Sequence, residues 1–314
     1  MGILFDMVWH FLADDDLSPA ELIAVLDLAD EFRADRFAYR PLDGPKSVAV
    51  IFDKPSTRTR VSFSAGVAEL GGHPITIDKG TTQLGRGEPV ADTVRVLDRI
   101  CEAIVWRTFE QATLVEAATV SSVPVINALT DAYHPCQLLA DLLTVRNRKG
   151  PLAGLTFCYA GDGGNNMAHS YLLAGAAAGV HVRITAPEAF GPDPEVMGRA
   201  AAIAETTGGS VGHVTDPYDG FKDADVLATD TWVSMGQEGE SARREEVFVP
   251  YAITADAVTA AADPVVLHCL PAYRGKEIAA DVIAGPNSAV WDEAENRLHT
   301  QKALLTWLLS QEAS

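Results

Sequence analysis

Positive charge is what this chain of 314 residues has least of: 24 Lys and Arg stand against 43 Asp and Glu, a formal net charge of −19. Nucleic acid and anionic membrane surfaces select basic faces, so neither is expected as a partner. Any anion site must be a local concentration of cations in an acidic protein. Cysteine is also scarce. Cys101, Cys136, Cys158 and Cys269 are widely spaced with no C-x-x-C pair, which argues against a zinc site and a disulfide framework and suits a reducing cytosol. No apolar run reaches the roughly 18 residues of a membrane span. The apolar patch at residues 3–12 is interrupted by Asp6 and His10 and followed by Asp14, Asp15 and Asp16. It has no basic lead and no small-residue cleavage site, so a signal peptide is not expected. Gly2 lacks the Ser or Thr that lipidation wants, because Asp6 stands there. Repeats and low-complexity segments are absent. A soluble cytoplasmic protein is expected, and its length and 47% apolar content allow two domains.

The order of elements is more specific. Ser18-Pro19-Ala20-Glu21 reads as a capping box with Pro at the first helical position, and Leu22, Leu26, Ala29 and Phe32 share one face of the helix that follows. Apolar runs at 47–52, 74–77, 103–106 and 123–128 predict strands. They alternate with helical patterns at 61–70, 90–100 and 110–118, and another opens at Leu138. Lys149-Gly150-Pro151 marks a boundary, after which the alternation restarts. Strands are predicted at 155–160, 180–186, 210–214, 226–229 and 264–267, and helices at 167–178, 195–205 and 293–309. Residues 230–244 show no apolar period and read as a loop. The expected fold is α/β, with two doubly wound domains, each a central parallel sheet flanked by helices. The expected division is 1–147, joined by the C-terminal helix 293–314, and 148–292.

In such sheets ligands sit beyond the carboxyl ends of the strands. Ser56, Thr57, Arg58, Thr59 and Arg60 follow the first strand and precede a helix. Hydroxyls, unpaired N–H groups and guanidiniums at a helix start form an anion site; the plain alternative is a capped surface helix with solvated arginines. Arg107 and the pair His134 and Gln137 follow two further strand ends, and that convergence favours the anion site. Gly161-Asp162-Gly163-Gly164-Asn165-Asn166 follows a strand and opens a helix. Gly161 and Gly163 fit a dinucleotide fingerprint, with Glu188 as the ribose acid, but Asn166 stands where the third Gly belongs. The turn suits a small polar ligand better, or is simply a tight turn with a capping Asn. Cys269 beside His268 reads either as a tuned thiol or as a small buried apolar residue. Arg297 reads either as a substrate clamp or as a helix-surface charge.

Five ordered motifs resolve these choices together: Ser56-Thr57-Arg58-Thr59-Arg60, His134-Pro135-Cys136-Gln137, Asp230-Thr231-Trp232-Val233-Ser234-Met235-Gly236, His268-Cys269-Leu270-Pro271 and Trp291-Asp292-Glu293-Ala294-Glu295-Asn296-Arg297. From about Leu17 to Leu309 the chain resembles the aspartate/ornithine carbamoyltransferase family, and the last three motifs resemble its ornithine branch. The resemblance implies transfer of the carbamoyl group of carbamoyl phosphate to the δ-amine of L-ornithine, giving citrulline and phosphate, without metal or organic cofactor. It implies that Ser56, Thr57, Arg58, Thr59 and Arg107 hold the phosphate. Arg107, Thr59 and His134 would meet the carbamoyl oxygen, and Gln137 and the Leu270 carbonyl the carbamoyl amide. Asn166, Asp230, Ser234 and Met235 would hold the α-groups of ornithine. Cys269 with Asp230 would orient the δ-amine, and Arg297 would stabilise the transition state. It further implies a homotrimer in which Gln83 reaches the neighbouring phosphate site, and closure of the loop around Ser234.

Two departures stand out: Gly163-Gly164, where relatives often carry bulkier residues, and Tyr273 in place of a commoner His. Other amine acceptors (aspartate, putrescine, acetylornithine) remain alternatives, as does a catalytically silent paralogue that binds an amino acid or phosphate ester. A nicotinamide dehydrogenase is disfavoured by Asn166.

Overall fold

A computed structural model of the chain describes residues 8–81, 83–233, 239 and 241–311. These residues form two compact units. One runs to Cys136 and resumes at Arg297; the other is Gln137–Asn296.

The first unit is built on β1 (Ser47–Phe52), β2 (His73–Asp78), β3 (Ala103–Arg107) and β4 (Val125–Leu129), all parallel, in the order β2-β1-β3-β4. The Val, Ile and Ala side chains of β1 and β3 are fully buried, as expected for central strands covered on both faces. The second unit contains β5 (Thr156–Ala160), β6 (His181–Thr185), β7 (Ser210–Val214), β8 (Val226–Thr229) and β9 (Val265–His268), again all parallel, in the order β7-β6-β5-β8-β9. The α/β class with two parallel sheets is therefore as expected from the sequence. Among the described residues, no helix is long and apolar enough to cross a membrane.

Each sheet reverses its order once, between β1 and β3 in the first unit and between β5 and β8 in the second. At such a switch point the following loops diverge and leave a crevice beyond the strand ends. Phe52 pairs with Arg107 at the first switch and Ala160 with Thr229 at the second. The segments starting at Asp53, Arg107, Gly161 and Asp230 are thereby delivered to the two crevices.

Element boundaries shift in two places that matter. The helix after β1 is Arg58–Glu69, starting three residues before the predicted 61, so Arg58, Thr59 and Arg60 form its first turn. The helix after β4 is Pro135–Lys149, with Pro at its first position, and takes in Cys136 and Gln137. The first of these turns is polar and carries no apolar period to read; the second sets the buried Cys136 between Pro135 and Gln137. Residues 230–244 are not wholly loop either: a helix runs over Ser241–Phe248 and buries Arg244 and Phe248. The Ser18 capping box forms as expected, with its side chain accepting from the Glu21 N–H.

Within the first unit, the C-terminal helix is anchored by a buried charge. The Lys302 side chain is fully buried, bonds the Arg36 carbonyl and lies 2.8 Å from Glu69 Oε2. Its ammonium also sits 4.4 Å from the Phe32 ring centre. Burial alone would raise the Glu69 carboxyl, but hydrogen bonds from Arg36 and Lys302 hold it below its ordinary 4.5. A carboxylate depressed in the native state contributes stability that is complete above its unfolded pKa and is lost as pH falls through the folded one. Lys302→Met should destabilise the protein by about 3 kcal/mol in urea unfolding at pH 7, as breaking a buried pair does. It should also flatten the loss of stability below pH 4.5. A variant as stable as the parent would remove the anchoring role.

Candidate active site

The first unit collects cations around a buried imidazole. Ser56 and Arg58 are half-buried at the start of the helix after β1, and Thr57 is exposed there without capping the helix through its side chain. The helix N–H groups and dipole thus add to the guanidiniums nearby. Together with Asp53, Lys54, Pro55, Arg60, Asp78 and Lys79, Ser56 and Thr57 line a polar cavity of about 370 Å³. Arg107, at the end of β3, sits where the register with β4 shifts, an irregularity that re-aims the last side chain of a strand. Thr59 is fully buried, and its hydroxyl accepts from Arg297 Nη2 at 2.6 Å. That oxygen keeps its own proton to donate.

His134 is buried at 4% exposure. Burial first, then the charges of Arg297, Arg107 and Arg58, hold its imidazole well below the ordinary 6.5. Three guanidiniums close enough to act on one ring make a strong local positive potential despite the overall acidity. The ring itself stays neutral, so it offers one N–H donor at neutral pH without adding charge.

Beside this cluster, Asp53 and Lys54 brace the loop. Asp53 Oδ2 accepts from Thr108 Oγ1 at 2.6 Å and lies 3.6 Å from Lys79 Nζ. Lys54 is buried, pairs with Asp131 and stands 4.2 Å from the Phe109 ring centre. Sequence reasoning missed Lys54; its one signal was a charged residue directly after a buried strand. Gln83 is exposed, in the segment between two short 3-10 turns, Lys79–Thr81 and Leu84–Arg86.

In the second unit, register does the positioning. Thr229 pairs with His268 across β8 and β9, so the next residues, Asp230 and Cys269, emerge side by side. The Cys269 thiol donates to Asp230 Oδ1 at 3.3 Å. Burial, then the negative charges of Asp230 and Glu293, push that thiol well above its ordinary 9.0. Cys269 is therefore a hydrogen-bonding thiol and no thiolate nucleophile. The turn after it is fixed by His268: its Nδ1 accepts from the Leu270 N–H at 2.9 Å, and its Nε2 faces Glu277 Oε1 at 3.2 Å. Leu270 is held at φ 59°, a left-handed conformation that a non-glycine residue adopts at a cost. Asp230, His268 and Cys269 each place one ligand atom within 4.8 Å of the others. Both imidazole nitrogens are already committed and the thiol resists ionisation, so the trio is a hydrogen-bonded turn rather than a ready ligand set.

The glycine turn after β5 resolves the choice left open by the sequence. Asn165 is the helix cap, accepting from the Ala168 N–H at 2.8 Å and donating to the Tyr159 hydroxyl at 2.7 Å. Asn166, half-buried, is the first helical residue. A Cβ on Gly163 would stand 2.7 Å from the Phe190 carbonyl oxygen, so that position admits no side chain without a shift. Arg244, also missed, donates to Asp162 Oδ2 at 2.6 Å and to the Trp232 carbonyl at 3.3 Å. No periodicity signals such a pair, because its partners are 82 residues apart. Ser234 and Met235 lie outside the described residues.

Comparison with known proteins agrees with this geometry. Residues 9–147 match the family "Aspartate/ornithine carbamoyltransferase, carbamoyl-P binding domain", and residues 153–308 match "Aspartate/ornithine carbamoyltransferase, Asp/Orn binding domain". The chain is 61% identical over 310 residues to an ornithine carbamoyltransferase of Renibacterium salmoninarum, covering 97% of this chain and 100% of that one. It is 58% identical to one from Mycolicibacterium paratuberculosis, over 97% and 99% of the two chains. Among solved structures, the ornithine carbamoyltransferase of Pyrococcus furiosus superposes with a TM-score of 0.92 at 43% identity, over 97% of this chain and 98% of that one. That of Gloeobacter violaceus gives 0.87 at 45% identity, over 96% and 98%.

The imidazole of His134 supplies a direct test of the cation cluster. A depressed histidine pKa means that the native state resists protonation, so its contribution to stability is full above 6.5 and fades as pH falls. Proton NMR of the His134 ring should place its titration midpoint well below the ordinary 6.5; a midpoint near 6.5 would dissolve the cluster as described. In Arg107→Gln the midpoint should rise.

Proposed function

The chain belongs to the aspartate/ornithine carbamoyltransferase family, and from that premise we propose that it transfers the carbamoyl group of carbamoyl phosphate to the δ-amine of L-ornithine, releasing L-citrulline and phosphate. The observation that carries the reading is the thiol–carboxylate pair of Cys269 and Asp230, 3.3 Å apart. A carboxylate is what an amino acid with an α-ammonium and a second amine calls for. Aspartate, with two carboxylates, calls for cations instead, and Arg244 is bound to Asp162 and the Trp232 carbonyl.

The first unit takes carbamoyl phosphate. Ser56, Thr57, Arg58, Thr59 and Arg107 bind the phosphate, with the helix start adding its N–H groups. His134, Arg107, Thr59 and Arg297 face the carbamoyl oxygen, while Gln137 and the Leu270 carbonyl take the carbamoyl amide. The second unit takes ornithine through Asn166, Asp230, Ser234 and Met235, and Cys269 with Asp230 orients the δ-amine.

The reaction follows from these roles. The δ-amine nitrogen attacks the carbamoyl carbon, the carbonyl oxygen gains charge, the bond from carbon to the phosphate oxygen breaks, and the nitrogen gives up one proton. Donors preset around the oxygen lower the barrier; one such donor is worth about 2.7–4 kcal/mol in comparable sites. A neutral His134 suits that role because it donates without requiring a proton from solution. The raised Cys269 thiol makes a poor proton acceptor, which favours the departing phosphate as the base. Holding both substrates in place supplies much of the remaining acceleration.

We further place the enzyme in the cytosol, as its four free cysteines favour, and assign it a homotrimeric assembly. Val96, Ile100 and Val115 of the first unit are 56%, 62% and 50% exposed, an apolar surface suited to a second copy. Exposed Gln83 is then the residue offered to the neighbouring phosphate site.

Citrulline formation should be seen with ornithine as acceptor; turnover with aspartate or putrescine but not ornithine would sink the assignment. Arg58→Ala should weaken carbamoyl phosphate binding at least about 100-fold in calorimetry, as loss of a charge-assisted bidentate contact implies; unchanged affinity would refute its role. Mixing inactive Arg58→Ala chains with Gln83→Ala chains should restore part of the activity if Gln83 acts in the neighbouring site, and sedimentation should give three chains per particle. Absence of any restoration would confine Gln83 to its own chain.

A further inference from the structure

β4 ends the strand order of the first sheet, and residues 10–12 run along its outer side. Phe11 bridges to Ile126 in the parallel sense: its N–H donates to the Val125 carbonyl at 2.9 Å, and its carbonyl accepts from the Asn127 N–H at 2.7 Å. His10 Nδ1 accepts from the Val125 N–H at 3.1 Å. The Leu12 carbonyl that follows is held by two side-chain amides, Asn127 Nδ2 at 2.8 Å and Gln111 Nε2 at 3.0 Å. Gln111 is the first residue of the helix Gln111–Val120, and its Oε1 accepts from Thr130 Oγ1 at 2.7 Å. Thr130 is fully buried; its Oγ1 accepts from the Tyr133 N–H at 3.2 Å, and its own N–H donates to the Tyr133 carbonyl at 2.9 Å.

The direction of this relay follows from its ends. A backbone carbonyl only accepts and a backbone N–H only donates. Gln111 must therefore turn its nitrogen to Leu12 and its oxygen to Thr130, and the Thr130 hydroxyl gives its proton to Gln111 while its oxygen accepts from Tyr133. The relay ends on the peptide that joins Tyr133 to His134, whose carbonyl the Thr130 N–H holds. On the other side, Pro135 restricts the residue before it to extended backbone. His134 is thus bracketed along the chain. A donor aimed at a developing oxyanion acts over about 2.7–3.1 Å, and a misplacement of about 1 Å can cost about 100-fold in rate. Buried hydroxyls and amides cost hydration unless each is bonded, so a chain of them at this place calls for a use that apolar packing does not supply.

We propose that Gln111 and Thr130 are positioning residues that carry the hold of the N-terminal segment on β4 to the peptide before His134, and so set the imidazole against the carbamoyl oxygen. The inference rests on the role given to His134 above. It gives residues 10–12, none of them assigned to either substrate, a part in the rate. An interaction that sets the geometry of the reacting oxygen is felt in the transition state, so its loss lowers kcat and spares the KM for ornithine.

The test combines kinetics with the ring resonances of His134 in the full-length enzyme, identified by their loss in His134→Ala. Thr130→Val and Gln111→Met break the relay at similar volume. Each should lower kcat about tenfold, the worth of one hydrogen bond, and leave the KM for ornithine within about twofold. Each should also raise the His134 midpoint towards the ordinary 6.5, as the ring shifts among the guanidiniums. Thr130→Ser returns the hydroxyl and should recover most of the kcat lost in Thr130→Val. Leu26→Ala opens a cavity in the buried face of the helix Pro19–Ala34, in the same unit, without touching the relay. It should leave the midpoint at the parent value and kcat within about twofold. If His134→Ala leaves kcat unchanged, the role of His134 fails and takes the inference with it. If His134→Ala lowers kcat but Thr130→Val and Gln111→Met change neither kcat nor the midpoint, the role stands and the relay is wrong. A midpoint that moves while kcat does not also overturns the positioning. An equal effect in Leu26→Ala, or no recovery in Thr130→Ser, reduces the relay to general stability and overturns it as well. The parent gives a reading that needs no variant: the Tyr133 amide, donating to Thr130, should be protected from hydrogen exchange before any ligand is added. Rapid exchange there overturns the proposal.

Discussion

Concentrating positive charge inside an acidic protein is the constraint on which the first unit depends. Two unit charges about 6 Å apart in a medium of effective dielectric about 20 repel by about 3 kcal/mol, so clustered guanidiniums destabilise the fold unless their surroundings compensate. The chain compensates in three ways. The one titratable ring among them, His134, is held neutral by burial and by the same charges. Arg297 donates to the Thr59 hydroxyl. The rest of the surface carries the excess of carboxylates that gives a net charge of −19. An anion that enters such a cluster relieves the repulsion.

The second unit solves a different problem, that of bringing two polar side chains together from different strands. It does so through strand register. Thr229 and His268 are paired, and one residue further along each strand the side chains of Asp230 and Cys269 meet. Any slip by one residue would turn both to the wrong face. The fully buried side chains of β8 and β9 pin that register, so the geometry of the thiol–carboxylate pair is inherited from the hydrophobic core.

Much of this was legible in the sequence because strands and their ends are. Apolar runs bounded by polar residues located the strands of the described residues to within a few positions, and the rule that ligands gather beyond strand ends singled out Arg58, Arg107, His134 and Gln137, whereas Asp230 and Cys269 stood out only through the family resemblance. The starts of helices were less legible. Arg58 opens a first turn that buries no apolar stripe, so its periodicity begins only at the second turn, and the helix from Pro135 opens with His134-Pro135-Cys136-Gln137, whose regular apolar spacing starts at Leu138. The first half of the helix Ser241–Phe248, as far as Arg244, was read as loop because its charges mask a buried Arg and give no apolar period. Least legible were ion pairs between segments far apart in the chain, such as Arg244 with Asp162 and Lys302 with Glu69. A charged residue looks alike in sequence whether it is solvated or buried against a partner, and only the fold decides which.

That last class divides by what its members do. Lys302 and Glu69 lie in the first unit beside Phe32 and Phe37, and the pair fastens a helix. An apolar pair of similar volume fastens a helix as well or better, since two buried charges lose more hydration than they regain unless their geometry is excellent. Asp141 and Glu293 carry the same cost, yet apolar substitutes cannot do what they do, because no hydrocarbon distinguishes the nitrogen of an amide from its oxygen. The donors that satisfy them, the Tyr171 hydroxyl and the His268 N–H, offset part of that cost and fix the outer oxygens. The inner oxygens, Asp141 Oδ1 and Glu293 Oε1, both face the amide nitrogen of Gln137. Burial supplies the selectivity: the same amide in water would rotate freely between two nearly equal states, whereas between two desolvated carboxylates one orientation is excluded.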